Sequence, residues 1–242
     1  MKILTHTPLI LSPKGFLRTG SGKLYISSSI VTDAIASSFV YYYIKKDYEI
    51  KSIVSKHLLE DKLCLNEIGT RVKDMIFKKY NLGRIFYTVG DSLPADGRIY
   101  RTLVNVFDLK KKEEVDSFSV EVFEGVIDIS IDEEFTDLIR PASHSFVEAV
   151  LRMEKELLED HPLVSSFYNP MLNEIKKWDI PLRLGLWTKD GFRGDLLFFW
   201  KVKDIRERIL KEFKVDVRPS RILILPLEGV SAGWGELRRK EV

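Results

Sequence analysis

Apolar positions along this chain change their spacing from one region to the next. A β-rich opening, residues 2–10, reads as a strand ending near Ser12-Pro13. Helical spacing then runs over 28–45, where Ile30, Ala34, Ile35 and Ser38 share a face and Ser28 or Ser29 can cap. Two more helices are predicted at about 50–61 and 65–80. The second carries Ile68, Val72, Met75, Ile76 and Lys79 at turn spacing and closes at Asn81-Leu82-Gly83. Short runs rich in Ile, Val, Phe, Tyr and Thr follow at 84–89, 98–109, 115–123 and 126–132. Lys110 to Glu114 makes the second and third of these a hairpin with a charged tip. Helices at about 144–160, after Pro141, and 163–177 come next. Strand 182–187, helix 195–213 and strands 221–226 and 233–239 finish the chain. This order predicts an α+β fold with helices packed on a mostly antiparallel sheet, and excludes a regular βαβ alternation.

Composition narrows the class. The 242 residues are 45% hydrophobic and 11% aromatic, enough for a folded core. There are 38 basic and 36 acidic residues, so any nucleic-acid site must be a local patch. The single cysteine, Cys64, excludes an internal disulfide and a multi-cysteine zinc site, and between Leu63 and Leu65 it reads as a small buried hydrophobe. Lys2 and His6 interrupt any signal-peptide pattern, and no window is apolar enough for a membrane helix. The expectation is a soluble, cytoplasmic protein.

Glycines punctuate the chain at Gly20 and Gly22, Gly90, Gly125, Gly185, Gly191 and Gly194, and Gly233 and Gly235. None belongs to a Walker, dinucleotide or nucleophile-elbow motif. Most have Lys or Arg nearby. Glycine lets a backbone approach a partner closely, and a neighbouring cation favours an anion. The strongest such loop, 13–25, joins Lys14, Arg18 and Lys23 to Gly20, Ser21 and Gly22, between a strand and a helix. A second follows the strand at 182, where Leu182, Leu184 and Leu186 are expected to face the core. Arg183 and Trp187 are expected to face outward, followed by Lys189 and Arg193. These loops suit a phosphate backbone.

Other chemistry is weaker. His6, His57, His144 and His161 show no metal-ligand spacing, and a structural role outweighs a catalytic one for His6. Asp132-Glu133-Glu134 suits the start of a helix, and Asp91-Ser92 an Asx-type turn. Tyr41, Tyr42, Tyr43, Tyr48, Phe77 and Tyr80 could stack on bases but are better explained by packing. Lys110-Lys111-Lys112 could grip phosphate, with a solvated hairpin tip at least as good a reading because Glu113, Glu114 and Asp116 follow directly.

The order of motifs resembles that of the RAMP superfamily of CRISPR effector proteins. Leu4-Thr5-His6-Thr7-Pro8-Leu9-Ile10, Gly20-Ser21-Gly22 and Tyr25-Ile26 before a helix resemble the opening of those proteins. Gly90-Asp91-Ser92 resembles a Csm-subgroup motif. Glu121 to Gly125 with Ile127, Ile129 and Ile131 resembles the family's strand pair. Leu182-Arg183-Leu184-Gly185 to Gly194, Arg218-Pro219-Ser220-Arg221 and Gly233-Trp234-Gly235 are similar to segments of the Csm subunit that caps the guide-RNA 3′ end. Leu11 to Thr19 is an insertion relative to that pattern, and Gly185-Leu186-Trp187 replaces a Gly-x-Gly.

The resemblance implies a single ferredoxin-like (RRM-like) domain over 1–242, an antiparallel sheet core with helical insertions at about 47–82 and 140–180. It implies a non-catalytic subunit of a Csm-type complex, with guide (CRISPR) RNA and other effector-complex subunits, above all the backbone subunit, as partners. Loop 13–25 lacks the Asp that the family's cleaving subunit uses. RNA-binding residues are then Lys14, Arg18, Gly20, Ser21, Gly22, Lys23, Arg183, Lys189 and Arg193, with no catalytic residue, metal or cofactor and no membrane contact. A guide-processing endoribonuclease using His6 or His57, or a purely structural assembly subunit, are the rival readings.

Overall fold

The computed structural model describes residues 1–10, 17–18, 22–60, 63–185, 193–219 and 221–239, with backbone alone at 17, 18 and 57–60. In chain order the strands are β1 (Lys2–Thr5), β2 (Leu17–Arg18), β3 (Leu24–Ser27), β4 (Ser92–Asp108), β5 (Glu113–Asp128), β6 (Ile180–Arg183), β7 (Arg221–Leu225), β8 (Val230–Ser231) and β9 (Trp234–Arg238). The helices are α1 (Ser29–Lys46), α2 (Tyr48–Glu60), α3 (Leu65–Lys79), α4 (Thr136–Leu158), α5 (Asn169–Glu174), α6 (Gly194–Lys201) and α7 (Lys203–Phe213).

Six of these elements, β1-α1-β4-β5-α4-β9, form a βαββαβ core. Its strands lie side by side in the order β4-β5-β1-β9, with every neighbouring pair antiparallel. This is the ferredoxin-like arrangement, and the fold is α+β with helical insertions. β3 and β2 extend the sheet beyond the start of β4, β6 extends it beyond β9, and β7 with β8 pairs the far half of β4. Strand alternation sets the core: Ile3 lies between Ile127 and Leu237 in register, and all three are fully buried. Ile129 and Ile131 continue that alternation into the core.

α1 packs against both α4 and α6, which is why it is buried on more than one face, through Ile30, Val31, Ile35, Phe39, Val40 and Ile44. Its buried Ser38 hydroxyl is satisfied by the Ala34 carbonyl at 2.9 Å. A smaller cluster, Ile10, Val104, Val106, Val122, Leu223, Leu225 and Ala232, forms where β7 joins the far half of the hairpin. Gly97 and Gly125 are opposite one another in the hairpin. A Cβ on Gly97 would sit 2.7 Å from the Gly125 Cα, so the strands meet there more closely than any side chain allows.

Several expectations need correcting. Residues 84–89 are no strand: Leu82–Phe86 is a 3₁₀ turn whose Leu82 and Ile85, three apart, are both buried. The runs at 115–123 and 126–132 are one strand, because Gly125 permits the close crossing instead of breaking the ladder. α4 starts at Thr136 and runs through Pro141, which costs one backbone hydrogen bond. The proposed helix 195–213 is two helices, broken where Val202 turns extended (φ −95°, ψ 103°). The insertion 47–82 corresponds to α2, α3 and the 3₁₀ turn. The stretch 140–180 divides, because α4 is the second helix of the core itself. Cys64 is exposed, not buried: it precedes α3, and its N–H is held by the Glu67 carboxylate at 2.9 Å.

Candidate nucleic-acid interface

β1 does not end cleanly. Its pairing with β5 is interrupted after Leu4 and resumes at Leu9 opposite Phe123, so His6, Thr7 and Pro8 bulge out. The bulge is tied to the start of β9: the His6 and Thr7 N–H groups donate to the Trp234 carbonyl at 2.8 and 3.1 Å. The Trp234 N–H donates to Thr7 Oγ1 at 2.9 Å. Gly233 donates to the Pro8 carbonyl at 3.0 Å, and Leu184 donates to the Gly233 carbonyl at 2.7 Å. Gly233 (φ +90°) needs both its left-handed backbone and its missing side chain, since a Cβ would overlap the Leu184 carbonyl oxygen. Gly185 (φ +118°) follows, with the Ile10 carbonyl oxygen 3.2 Å from where its Cβ would stand. Ile10 and Gly185, which precede in sequence the stretches carrying Lys14 and Lys189, are therefore neighbours.

Of the nine residues assigned to RNA from sequence, Lys14, Gly20, Ser21 and Lys189 lie outside the described residues, as does Trp187, and Arg18 is described by its backbone alone. Gly22 has a left-handed backbone (φ +78°) and open space around it, and Lys23 is exposed. Arg193 precedes α6 and is one-third exposed. Its guanidinium donates to Asp195 at 2.8 Å and to Asn66 of α3 at 2.8 Å. Arg183 does not face outward. It is 5% exposed, its Nη2 lies 3.1 Å from Glu154 Oε1, and its guanidinium covers the Trp234 ring at 4.1 Å. Glu154 and Tyr168 are fully buried, and the Tyr168 hydroxyl donates to Glu154 at 2.6 Å. Burial and the Glu154 charge push the Tyr168 hydroxyl well above its ordinary range. The alternation rule fails at Arg183 because β6 is covered on both faces, every one of its residues being buried.

The glycines are also redistributed. Gly194 and Gly235, like Gly125 and Gly233, are packed against this chain's own backbone, so only part of the punctuation serves an open surface. Nothing in the sequence marked Glu154 or Tyr168: Glu154 sits in an ordinary charged helical run, and only tertiary packing turns it inward.

The His6 side chain is 32% exposed. It stacks on Trp178 at 4.0 Å and 14°, with Nε2 3.3 Å from Glu236 Oε2. Glu236 also accepts the Asp179 N–H at 2.8 Å, and His144 lies 3.1 Å from the Asp179 carbonyl oxygen. His57 has no described side chain. His161 is edge-on to Phe107 at 5.1 Å, and burial lowers its pKa. The tyrosines belong to helix packing: Tyr43 stacks on Tyr80 at 3.8 Å, and the Tyr80 hydroxyl donates to Asp47. Lys79 and Tyr80 hold the Asp47 carboxyl down at about 2. Lys112 of the hairpin tip pairs with Glu159 at 2.5 Å. Among the described residues no helix is long and apolar enough to cross a membrane.

No family model matches this chain. A protein of Aquifex aeolicus (strain VF5), described as uncharacterized, is 36% identical to it over 242 residues, which span 99% of each chain. With the two chains alike from end to end at that identity, this protein belongs to the same family as the Aquifex aeolicus protein.

Proposed function

We propose that this chain is a non-catalytic RNA-binding subunit of a Csm-type CRISPR effector complex. It would hold the guide-RNA backbone near its 3′ end and close the filament of backbone subunits. The observation that carries the reading is the adjacency of Ile10 and Gly185, from which the two cation- and glycine-bearing segments depart. A phosphate backbone lying across both would meet Lys14, Arg18, Lys23 and Lys189, with Arg193 at the edge, as contacts that position RNA without reading its sequence. Arg183, buried against Glu154 and Trp234, is left out of these phosphate contacts. The ferredoxin-like strand order supports the same reading, being the core that the motif resemblance implied.

Binding to single-stranded RNA is expected to weaken steeply with salt, the log–log slope changing by about 0.7 for each phosphate contact. Lys23→Glu with Lys189→Glu should flatten that slope while the thermal midpoint stays put. A salt-independent affinity, or an unchanged slope in the double variant, would overturn the proposal. Arg183 is unsuited to this test, since reversing a buried charge tests folding.

The rival endoribonuclease reading rests on His6 or His57; the His6 ring is engaged by Trp178 and Glu236, and the His57 side chain lies outside what the structure describes. Purified protein incubated with labelled guide precursor or target RNA, with and without divalent metal, is expected to leave both intact. Site-specific cleavage abolished by His6→Ala would transfer the function to the endoribonuclease class.

A further inference from the structure

We propose that the cleft between α1, α3 and the start of α6 receives one unstacked base of the bound RNA. This rests on the RNA-binding reading and deepens it. The cleft has a volume of about 270 Å³. That lies just under the roughly 300–1,000 Å³ of ordinary small-molecule sites, so it has room for a single base and not for a larger cofactor. Its inner wall sets Ile30 and Ala34 of α1 and Phe146 of α4 beside the charged Arg183 and Asp195, all buried. A slot that sets an apolar face beside polar groups, the Asp33 and Asp195 carboxylates among them, suits a nucleobase with its flat apolar face and polar edge better than a phosphate, which those carboxylates would repel.

The mouth is polar, lined by Ser37 of α1, Thr70 and Lys73 of α3, and Arg193. The Thr70 hydroxyl donates to the Asn66 carbonyl at 3.0 Å and keeps its oxygen as an acceptor, while the Ser37 hydroxyl can donate or accept, so together they serve the edges of different bases. Asp33 also lines the cleft and adds an acceptor, while the Asp195 carboxylate is taken up by Arg193. The two cations suit the phosphates on either side of an inserted base. Arg193, which lines the mouth, is also among the residues that the RNA-binding reading gives to phosphates, and that reading brings the bound strand to the mouth.

Thr70 is exposed on α3, so Thr70→Trp closes the mouth without entering the core, and Ala34→Leu fills the cleft from the α1 side. The probe is a mixed-sequence single-stranded oligoribonucleotide carrying 4-thiouridine, photocrosslinked to the intact chain and mapped by mass spectrometry. Wild-type crosslinks are expected on the cleft-lining peptides of α1 and α3. Thr70→Trp should remove them and weaken binding by about tenfold, the value of roughly one stacked base. Tight RNA binding with crosslinks confined to other surfaces, or with crosslinks and affinity unaltered in a folded Thr70→Trp protein, overturns the cleft proposal and leaves the RNA-binding reading standing. Absence of RNA binding by the wild type removes both.

Discussion

Replacing Glu154 with alanine is expected to destabilise the protein by about 3–5 kcal/mol, the usual cost of removing one partner from a buried ion pair. Glu154 is fully buried and holds two groups at once: the Arg183 guanidinium at 3.1 Å and the Tyr168 hydroxyl at 2.6 Å. Alanine leaves Arg183 in the interior without that counter-charge and also opens a void. For a chain of this size each kcal/mol moves the midpoint by about 2–4 °C, so a fall of roughly 6–20 °C should be visible in a thermal melt. Glu154→Gln keeps the shape and an acceptor, and should lose less. Changing both charges, Glu154→Leu with Arg183→Met, should recover most of the loss, because apolar replacement of a whole buried pair is often neutral. If the alanine variant melts within a few degrees of wild type, the pair does not hold α4 to β6.

Gly194→Ala should destabilise where glycine-to-alanine ordinarily helps a helix. Alanine in a helix gains about 1 kcal/mol over glycine. At Gly194 the new Cβ would stand 2.7 Å from the Tyr41 backbone nitrogen and closer still to the Ser37 carbonyl oxygen, both in α1. Backbone cannot swing aside as a side chain can, so α6 must back away and loosen Leu197, Phe198 and Phe199, all buried. Overpacking of this kind costs about 1–3 kcal/mol, and Gly194→Val should exceed it. Gly83→Ala is the control, since nothing lies within 4 Å of the new atom, and it should change stability by no more than about 0.5 kcal/mol. Urea unfolding of the three variants separates the cases; equal midpoints for Gly83→Ala and Gly194→Ala would remove the argument for close helix contact.

The cations and glycines of loops 13–25 and 182–194 are legible in the sequence as local facts of composition. Gly22 has nothing within 4 Å of where its Cβ would stand and Lys23 is exposed, while Lys14, Gly20, Ser21 and Lys189 fall outside the described residues. Arg183 was misread because alternation assigns a strand one wet face, and β6 has none. Glu154 and Tyr168 were missed because charge and hydroxyl carry no periodic signal. The glycine punctuation was half misread: sequence shows that a residue lacks a side chain, and only the fold shows what fills the space.

Short-range patterning set most of the helical and extended segments, residues 84–89 excepted, and thereby the α+β class, because period and turn chemistry are local properties of the chain. It also determined the length of α1 to within a residue or two and the alternation that buries Ile127, Ile129 and Ile131. Tertiary structure alone decided that the hairpin crosses closely at Gly97 and Gly125, and that Arg183 points at Glu154. It also brought Ile10 to Gly185, 175 residues further along the chain. The physical reason is range. A helix or strand is fixed by neighbours a few residues away, whereas a buried charge pair or a backbone contact is fixed by which distant surface arrives, and that is settled by packing the whole sheet and its helices at once.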